Sequence, residues 1–508
     1  MDGILKRVAA GVGANGMGYL LTFANSILLV PVFLAFWGGQ LYGEWLALSA
    51  AMGYLALLDL GLQTYVVNRM CQAYARKHLD DLHRDLHSAI EIFTVVALLG
   101  LTGIAVFIAL APVELLFHLE FTTRKLAGLT IMLLAANVFL NSIPMGLIAG
   151  LYRATGAYAR GQMIGNVMRM AQFVATAAVV SLWRSTAGLA ATWVLVNVVG
   201  ILLILRDLRR FRPDVRLDLA AGSWRHGIRL IGPALLFLLF GVASALNMQG
   251  MVLIVNSALG AVAVVQFVTI RMLSNIIPQG LAVVNSALWP EMTIVDARGE
   301  RERLIRLSRW LVKFSVSVAV LVALLIRFVG PDLYHLWTGR QIAFEPRVLD
   351  LLLIQAVLMA VWNASGLPLL ASNRQRAYAW WTLLNAVVSI GLALILVRPF
   401  GLVGVAFGSL LGDVFCSLLV VPWLVSRMLE RPLASFLLPG AAVPLCIGAV
   451  VFTALESAGM LFSGVAWRLL GVPVIGGAYI LGTYLFALDE EERRVIRGVP
   501  KRLLAGSW

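Results

Sequence analysis

Apolar runs of about 20 residues recur along the whole chain, the length an α-helix needs to cross roughly 30 Å of hydrocarbon. Lipid offers the backbone no hydrogen-bond partners, so only helices and closed barrels can span it. No stretch alternates with period two over about ten residues, which argues against a barrel. The 508 residues are 60% hydrophobic and only 13% charged, too little polar surface for soluble domains of that total length. The expected fold is all-α: a polytopic membrane protein with about 14 transmembrane helices.

Spans fall near 12–36, 43–67, 89–112, 126–150, 161–183, 185–205, 228–255, 259–289, 310–330, 348–371, 378–398, 400–425, 437–456 and 467–488. With the N-terminus inside, the inner segments hold about 29 Lys and Arg against 7 in the outer loops, a strong positive-inside bias. Both termini are therefore expected in the cytoplasm. Lys6 and Arg7 precede an apolar stretch that runs past signal length, so no cleavable leader is expected there.

Composition and motifs exclude several functions. The net charge of +14 lies in short loops between apolar runs, with no basic recognition domain, so nucleic acid is not an expected partner. Cys71, Cys416 and Cys446 are too far apart to suggest a metal site or a disulfide framework. There is no phosphate loop, and no cofactor is expected. The run Gly11 to Gly16 matches a dinucleotide fingerprint by letters, but it follows no strand, and close helix packing is the expected role. The same role is expected of Gly146 and Gly150, and of Gly404, Gly408 and Gly412.

An internal repeat organises the chain. Asn141-Ser142-Ile143-Pro144, leading through Arg153 to Ala157-Tyr158-Ala159, parallels Asn363-Ala364-Ser365-Gly366, leading through Arg376 to Ala377-Tyr378-Ala379, about 220 residues on. Gly188-Leu189-Ala190 with Asn197 likewise parallels Gly404-Val405-Ala406 with Asp413. An even number of spans per copy implies two six-helix lobes of one orientation, residues 1–211 and 212–426, with two extra helices and a cytoplasmic tail in 427–508.

Ionisable groups at membrane depth are costly and mark candidate sites. Arg271 lies about twelve residues into the eighth span, near 18 Å, hence close to the midplane. Helical spacing puts Arg271, Asn275, Pro278, Gln279 and Asn285 on one side of that span, a stripe suited either to a wet cavity or to a packing network. Arg169 lies deep in the fifth span, lining a cavity or snorkelling. Asp59 in the second span and Asp413 in the twelfth are candidates for ion coupling or ion pairing, whereas Glu44, at an outer edge, is expected to be solvated. Deep arginines with few acids suit an anionic substrate and repel a cationic one.

Tyr42-Gly43-Glu44-Trp45 followed by Leu57-Leu58-Asp59-Leu60-Gly61-Leu62 resembles a stretch of the Wzx-type polysaccharide flippases, the polysaccharide transporter branch of the multidrug/oligosaccharidyl-lipid/polysaccharide superfamily. Leu259-Gly260-Ala261 through Val265-Gln266-Phe267 to Arg271 resembles that family's eighth span. Two departures stand out: Thr269-Ile270 replaces a tyrosine before the arginine, and Asn247 or Gln249 replaces an acid of the seventh span.

The resemblance implies a flippase in the bacterial inner membrane. It would carry undecaprenyl-pyrophosphate-linked sugar units to the periplasmic leaflet by alternating access, for O-antigen, exopolysaccharide or capsule. Its partners would be the lipid-linked oligosaccharide, membrane lipids and other polysaccharide assembly proteins. Arg271 and Arg169 would hold the pyrophosphate, and Asn275 and Gln279 would meet sugar hydroxyls. The competing readings are a cation-coupled drug exporter of the same superfamily and a membrane-embedded glycosyltransferase. The short outer loops, which leave no room for acidic catalytic groups, argue against the latter, and no enzymatic activity is expected.

Overall fold

The computed structural model describes residues 2–141, 145–213, 222–372, 374, 376–414, 420–434, 438–459, 465–488, 490, 492 and 493. It is helical throughout its ordered elements. In chain order these are α1 (Asp2–Gly53), a 3₁₀ turn (Tyr54–Asp59), α2 (Leu62–Ala75), α3 (Leu79–Leu110), α4 (Val113–Phe117), α5 (Arg124–Leu140), α6 (Gly146–Ala154), α7 (Tyr158–Leu182) and α8 (Thr186–Phe211). There follow α9 (Trp224–Ala245), α10 (Met251–Leu259), α11 (Ala261–Ala297), α12 (Arg301–Trp337), α13 (Pro346–Ala371), α14 (Arg376–Val414), α15 (Val421–Met428), α16 (Val443–Gly459) and α17 (Val465–Gly482).

Among the described residues, 9 helices are long and apolar enough to cross a membrane. Two of them hold two spans each. In α1 the backbone reverses at Gly38 (φ 71°, ψ 176°), seven residues after Pro31, which itself removes one ladder donor. Phe33 and Tyr42 stack across the reversal with ring centroids 4.5 Å apart, a contact that residues nine apart in a straight helix could not make. In α14 the reversal is at Gly401 (φ 58°, ψ −137°), and Gly408 returns against Ala393. The fourth expected span is shared by α5 and α6, and the last two are the shorter apolar helices 440–454 and 471–487. Each expected span thus has its helical segment.

The chain divides into two compact units. The first comprises Met1–Thr269, Trp337–Ala343 and Thr382–Gly408; the second comprises Ile270–Leu336, Phe344–Trp381 and Ser409–Trp508. In the first unit, Leu62, Val66 and Met70 of α2 meet Leu82, Leu86 and Phe93 of α3, with Leu151 and Tyr152 of α6 and Leu230 of α9, all nearly inaccessible. A carboxylate pins this core at one end. Asp85, 1% exposed, accepts from Arg69 Nε at 2.7 Å and lies 2.6 Å from His226 Nε2, tying α2, α3 and α9 together. The hydrogen bond with Asp85 holds the Arg69 guanidinium above its ordinary pKa. Asp207 ties α6, α7 and α8 in the same way, accepting from Tyr152 Oη at 2.6 Å and from two nitrogens of Arg160.

The glycines behave differently from one another. A Cβ at Gly146 would lie 2.2 Å from Gln63 Nε2 and one at Gly150 2.4 Å from Val67 Cγ2, so α6 packs on α2 through bare backbone, as expected. In the Gly11–Gly16 run, by contrast, Gly13 and Gly16 have nothing within 4 Å of where a Cβ would stand. The close approach of α1 to α7 is at Gly18, over which Arg169 lies.

Candidate functional site

The Leu57–Leu62 motif is a built interruption of the second span. After the 3₁₀ turn, Leu60 (φ 54°) and Gly61 (φ 72°) are both left-handed, and the chain re-enters a helix at Leu62. Asp59 Oδ1 accepts the Gln63 backbone N–H at 3.0 Å, satisfying one of the donors that a helix start leaves open. The half-buried Asp59 therefore has a capping role in this geometry.

Glu44 differs from expectation. It is 0% exposed and accepts the backbone N–H groups of Glu120, Phe121 and Thr122 at 2.7, 2.8 and 3.0 Å, with the Thr122 hydroxyl at 2.6 Å. The loop between α4 and α5 brings its own donors to the carboxylate, so burial is matched by four hydrogen bonds rather than by water. Around Glu44, Trp45 meets Trp193 edge-on at 5.1 Å, and a Cβ on Gly43 would lie 2.0 Å from Ala261 O at the start of α11. The Tyr42–Trp45 motif is thus an assembly point of the first unit.

Arg169 Nη1 donates to Asn166 Oδ1 at 2.6 Å, and Asn166 Nδ2 donates to Ala14 O at 2.9 Å. The arginine is half-buried along α1, held by a polar relay between two apolar helices. Asp413, 4% exposed, accepts from Gln355 Nε2 at 2.5 Å, and the same amide reaches Ser409 Oγ at 2.7 Å.

On α11, Arg271 stands ten residues in, roughly 15 Å from the first residue at 1.5 Å per residue. It and Asn275 are half-buried, while Gln279 is exposed. Further along the same helix, within the second unit, Pro278, Leu281 and Asn285 line a cavity of 260 Å³. Ala360, Asn363 and Leu367 of α13 and Tyr378 of α14 close it. Arg271, Asn275 and Gln279 are not among its lining residues, so the expected stripe is divided: Pro278 and Asn285 line the cavity, Arg271 and Asn275 precede it on the helix, and Gln279 is turned out of it, exposed.

The cavity carries unmet polar capacity. Asn285 Oδ1 is buried and without a hydrogen-bond partner, and on α13, outside the cavity lining, so are Trp362 Nε1 and Ser365 Oγ. Trp362 meets Tyr378 edge-on at 6.1 Å, and Tyr378 lies over Gly366, where a Cβ would be 2.9 Å from its Cζ. Buried polar atoms are nearly always satisfied by protein, water or ligand, so the open acceptor of Asn285, with the lining amide of Asn363, suits a guest that carries hydroxyl donors. Sequence spacing singled out Asn285, Asn363 and Tyr378 but did not unite them, since three helices supply them. In the other copy of the repeat, residues 142–144 lie outside the described residues and Tyr158 is exposed, 38% against 5% for Tyr378.

No protein-family profile matches the chain. The Bacillus subtilis (strain 168) membrane protein EpsK, itself uncharacterized, is 23% identical over 95% of this chain and 96% of its own length. Among solved structures, the lipid II flippase MurJ in an inward closed conformation superposes with a TM-score of 0.69 at 12% identity, covering 93% of this chain and 97% of that one. An inward-facing multidrug resistance MATE family transporter of the MOP superfamily superposes with a TM-score of 0.67 at 16% identity, covering 81% and 94%. The chain has the polytopic all-α fold that these transporters share.

Proposed function

We propose that this protein translocates an undecaprenyl-pyrophosphate-linked oligosaccharide from the cytoplasmic to the periplasmic leaflet of a bacterial inner membrane, by alternating access, in the manner of the Wzx-type flippases it resembles. The observation that carries this reading is Arg271, a cation set deep in the apolar α11. An ionisable residue at membrane depth is costly and marks a functional site, and a cation there suits an anionic substrate. Arg271, with Arg169 as a second contact, binds the pyrophosphate. Asn275 and Gln279 meet sugar hydroxyls, and the α11 cavity, with the unpaired Oδ1 of Asn285, takes further sugar. The polyprenyl tail stays in lipid. Two six-helix lobes, 1–211 and 212–426, rock about the site, with both termini in the cytoplasm and 427–508 as an addition.

A drug exporter of the MATE kind is the second reading, favoured by the superposition on such a transporter. It needs an acid free to exchange a cation. Glu44, Asp85 and Asp413, the described carboxylates most deeply buried, are each held by donors that fix the fold.

The test is Arg271→Gln and Arg271→Lys at equal membrane abundance in the parent organism, read as surface polysaccharide and as lipid-linked intermediate on the cytoplasmic leaflet. Arg271→Gln should lower export at least tenfold, with intermediate accumulating, while Arg271→Lys retains part. Undiminished export by Arg271→Gln, or protein-dependent efflux of a cationic dye, would overturn the reading.

A further inference from the structure

The second unit holds a larger cavity, of 930 Å³, away from the α11 cavity. One wall is the first part of α12 and the other comprises α17 and its continuation. Arg303, Arg306, Arg309 and Lys313 recur on one face of α12 at helical spacing, interleaved with Trp310 and followed by Phe314 and Leu321. The facing wall offers Tyr479, Ile480 and Tyr484.

Part of this charge is committed. Lys313 pairs with Glu492 at 2.6 Å and Arg303 with Glu300 at 3.0 Å. Arg306 and Arg309 have no partner among the described residues, and Arg309 Nε is buried without a hydrogen bond. Where the other helices border the opening they widen into π-turns, Leu438–Ala442 at Gly440 and Thr483–Ala487 at Thr483 and Tyr484. Such turns re-aim side chains and often mark binding sites.

From this we infer that the groove holds a resident anionic phospholipid, its phosphate headgroup on Arg306 and Arg309 and its acyl chains running inward past Phe314 and Leu321. The cations occupy the first four turns of α12, on the side that the charge count assigns to the cytoplasm. Leu307 and Trp310 are interleaved with them, and beyond Lys313 the α12 wall carries no charge, so headgroup and chain are ordered as in a leaflet. A translocated pyrophosphate needs cations toward the midplane, and this groove offers none there among its lining residues. Basic pockets between membrane helices on the cytoplasmic side recognise anionic headgroups by this chemistry.

The experiment is native mass spectrometry of the purified full-length protein titrated with cardiolipin, phosphatidylglycerol, phosphatidylethanolamine and undecaprenyl phosphate. The wild type should retain cardiolipin and phosphatidylglycerol over phosphatidylethanolamine. R306Q with R309Q should bind them about tenfold more weakly, and R306K with R309K should recover most of the affinity. Ile480→Trp fills the groove without altering charge and should displace the lipid too. R206Q with R209Q, at the end of α8, should change nothing. Helicity and the thermal midpoint of each variant confirm that it is folded. Equal retention of phosphatidylethanolamine overturns the inference, as does displacement of cardiolipin by equimolar inorganic phosphate. Preferential binding of undecaprenyl phosphate, lost in the glutamine variant, would instead make the groove a substrate station. None of these outcomes depends on the role of Arg271.

Discussion

Asn197 donates its side-chain amide to Asn137 Oδ1 at 2.7 Å, joining α8 to α5 between two buried residues. In the second copy of the sequence repeat, Gln355 stands near the position of Asn137 and Asp413 at that of Asn197, each about 220 residues on, and they too are joined, at 2.5 Å. One interhelical link is thus made twice, once by two amides and once by an amide and a carboxylate. The pairing gives Asp413 a packing role that needs no titration.

Asp413→Asn should therefore keep the link and leave export and thermal midpoint nearly unchanged. Asp413→Leu leaves the Gln355 amide with Ser409 alone and should cost about 1–3 kcal/mol. Thermal unfolding in detergent, beside an export assay, separates the two. Loss of export by a stable Asp413→Asn protein would assign Asp413 a proton-carrying role instead.

Removing Glu44 leaves three backbone donors and a hydroxyl facing a void. Glu44→Ala should destabilise by roughly 3–5 kcal/mol, as expected when one side of a buried charged network is deleted. Glu44→Gln keeps one acceptor oxygen and should cost less. Scanning fluorimetry on both variants checks the order.

At Gly43 a methyl would meet the Ala261 carbonyl, a backbone atom that cannot step aside. Gly43→Ala should cut the yield of folded protein several-fold. Gly13→Ala meets nothing within 4 Å and should be neutral or stabilising by about 0.5–1 kcal/mol. Monodisperse yield by size-exclusion chromatography reads the contrast.

Asn285 presents an unpaired buried oxygen to the α11 cavity. Asn285→Leu should leave stability unchanged or raise it by about 1 kcal/mol, because an unsatisfied acceptor is removed. If the cavity receives sugar, the same variant should lose export severalfold. A gain in stability with full export would leave the cavity without a transport role.

The spans were legible because each is fixed by its own hydrophobicity, and the one-residue reversals at Gly38 and Gly401 cost nothing in that count. Glu44 was misread as solvated because its donors come from residues 120–122, far along the chain and unmarked by composition. Asp85 and Asp207 passed unnoticed for the same reason: a carboxylate beside a helix end looks like surface until its arginine and tyrosine partners fold over it. The polar stripe on α11 was visible from helical spacing. Its division was not, since the cavity depends on where α13 and Tyr378 lie.

Gly38, Gly260 and Gly401 each turn the chain with a positive φ at the side that the charge count assigns to the exterior. Consecutive helices meet there almost without connecting chain. To a protease, antibody or membrane-impermeant label outside the cell, those hairpins offer next to no backbone. Reporter epitopes belong elsewhere, and not in the 118–123 loop, where an insertion would pull the donors off Glu44.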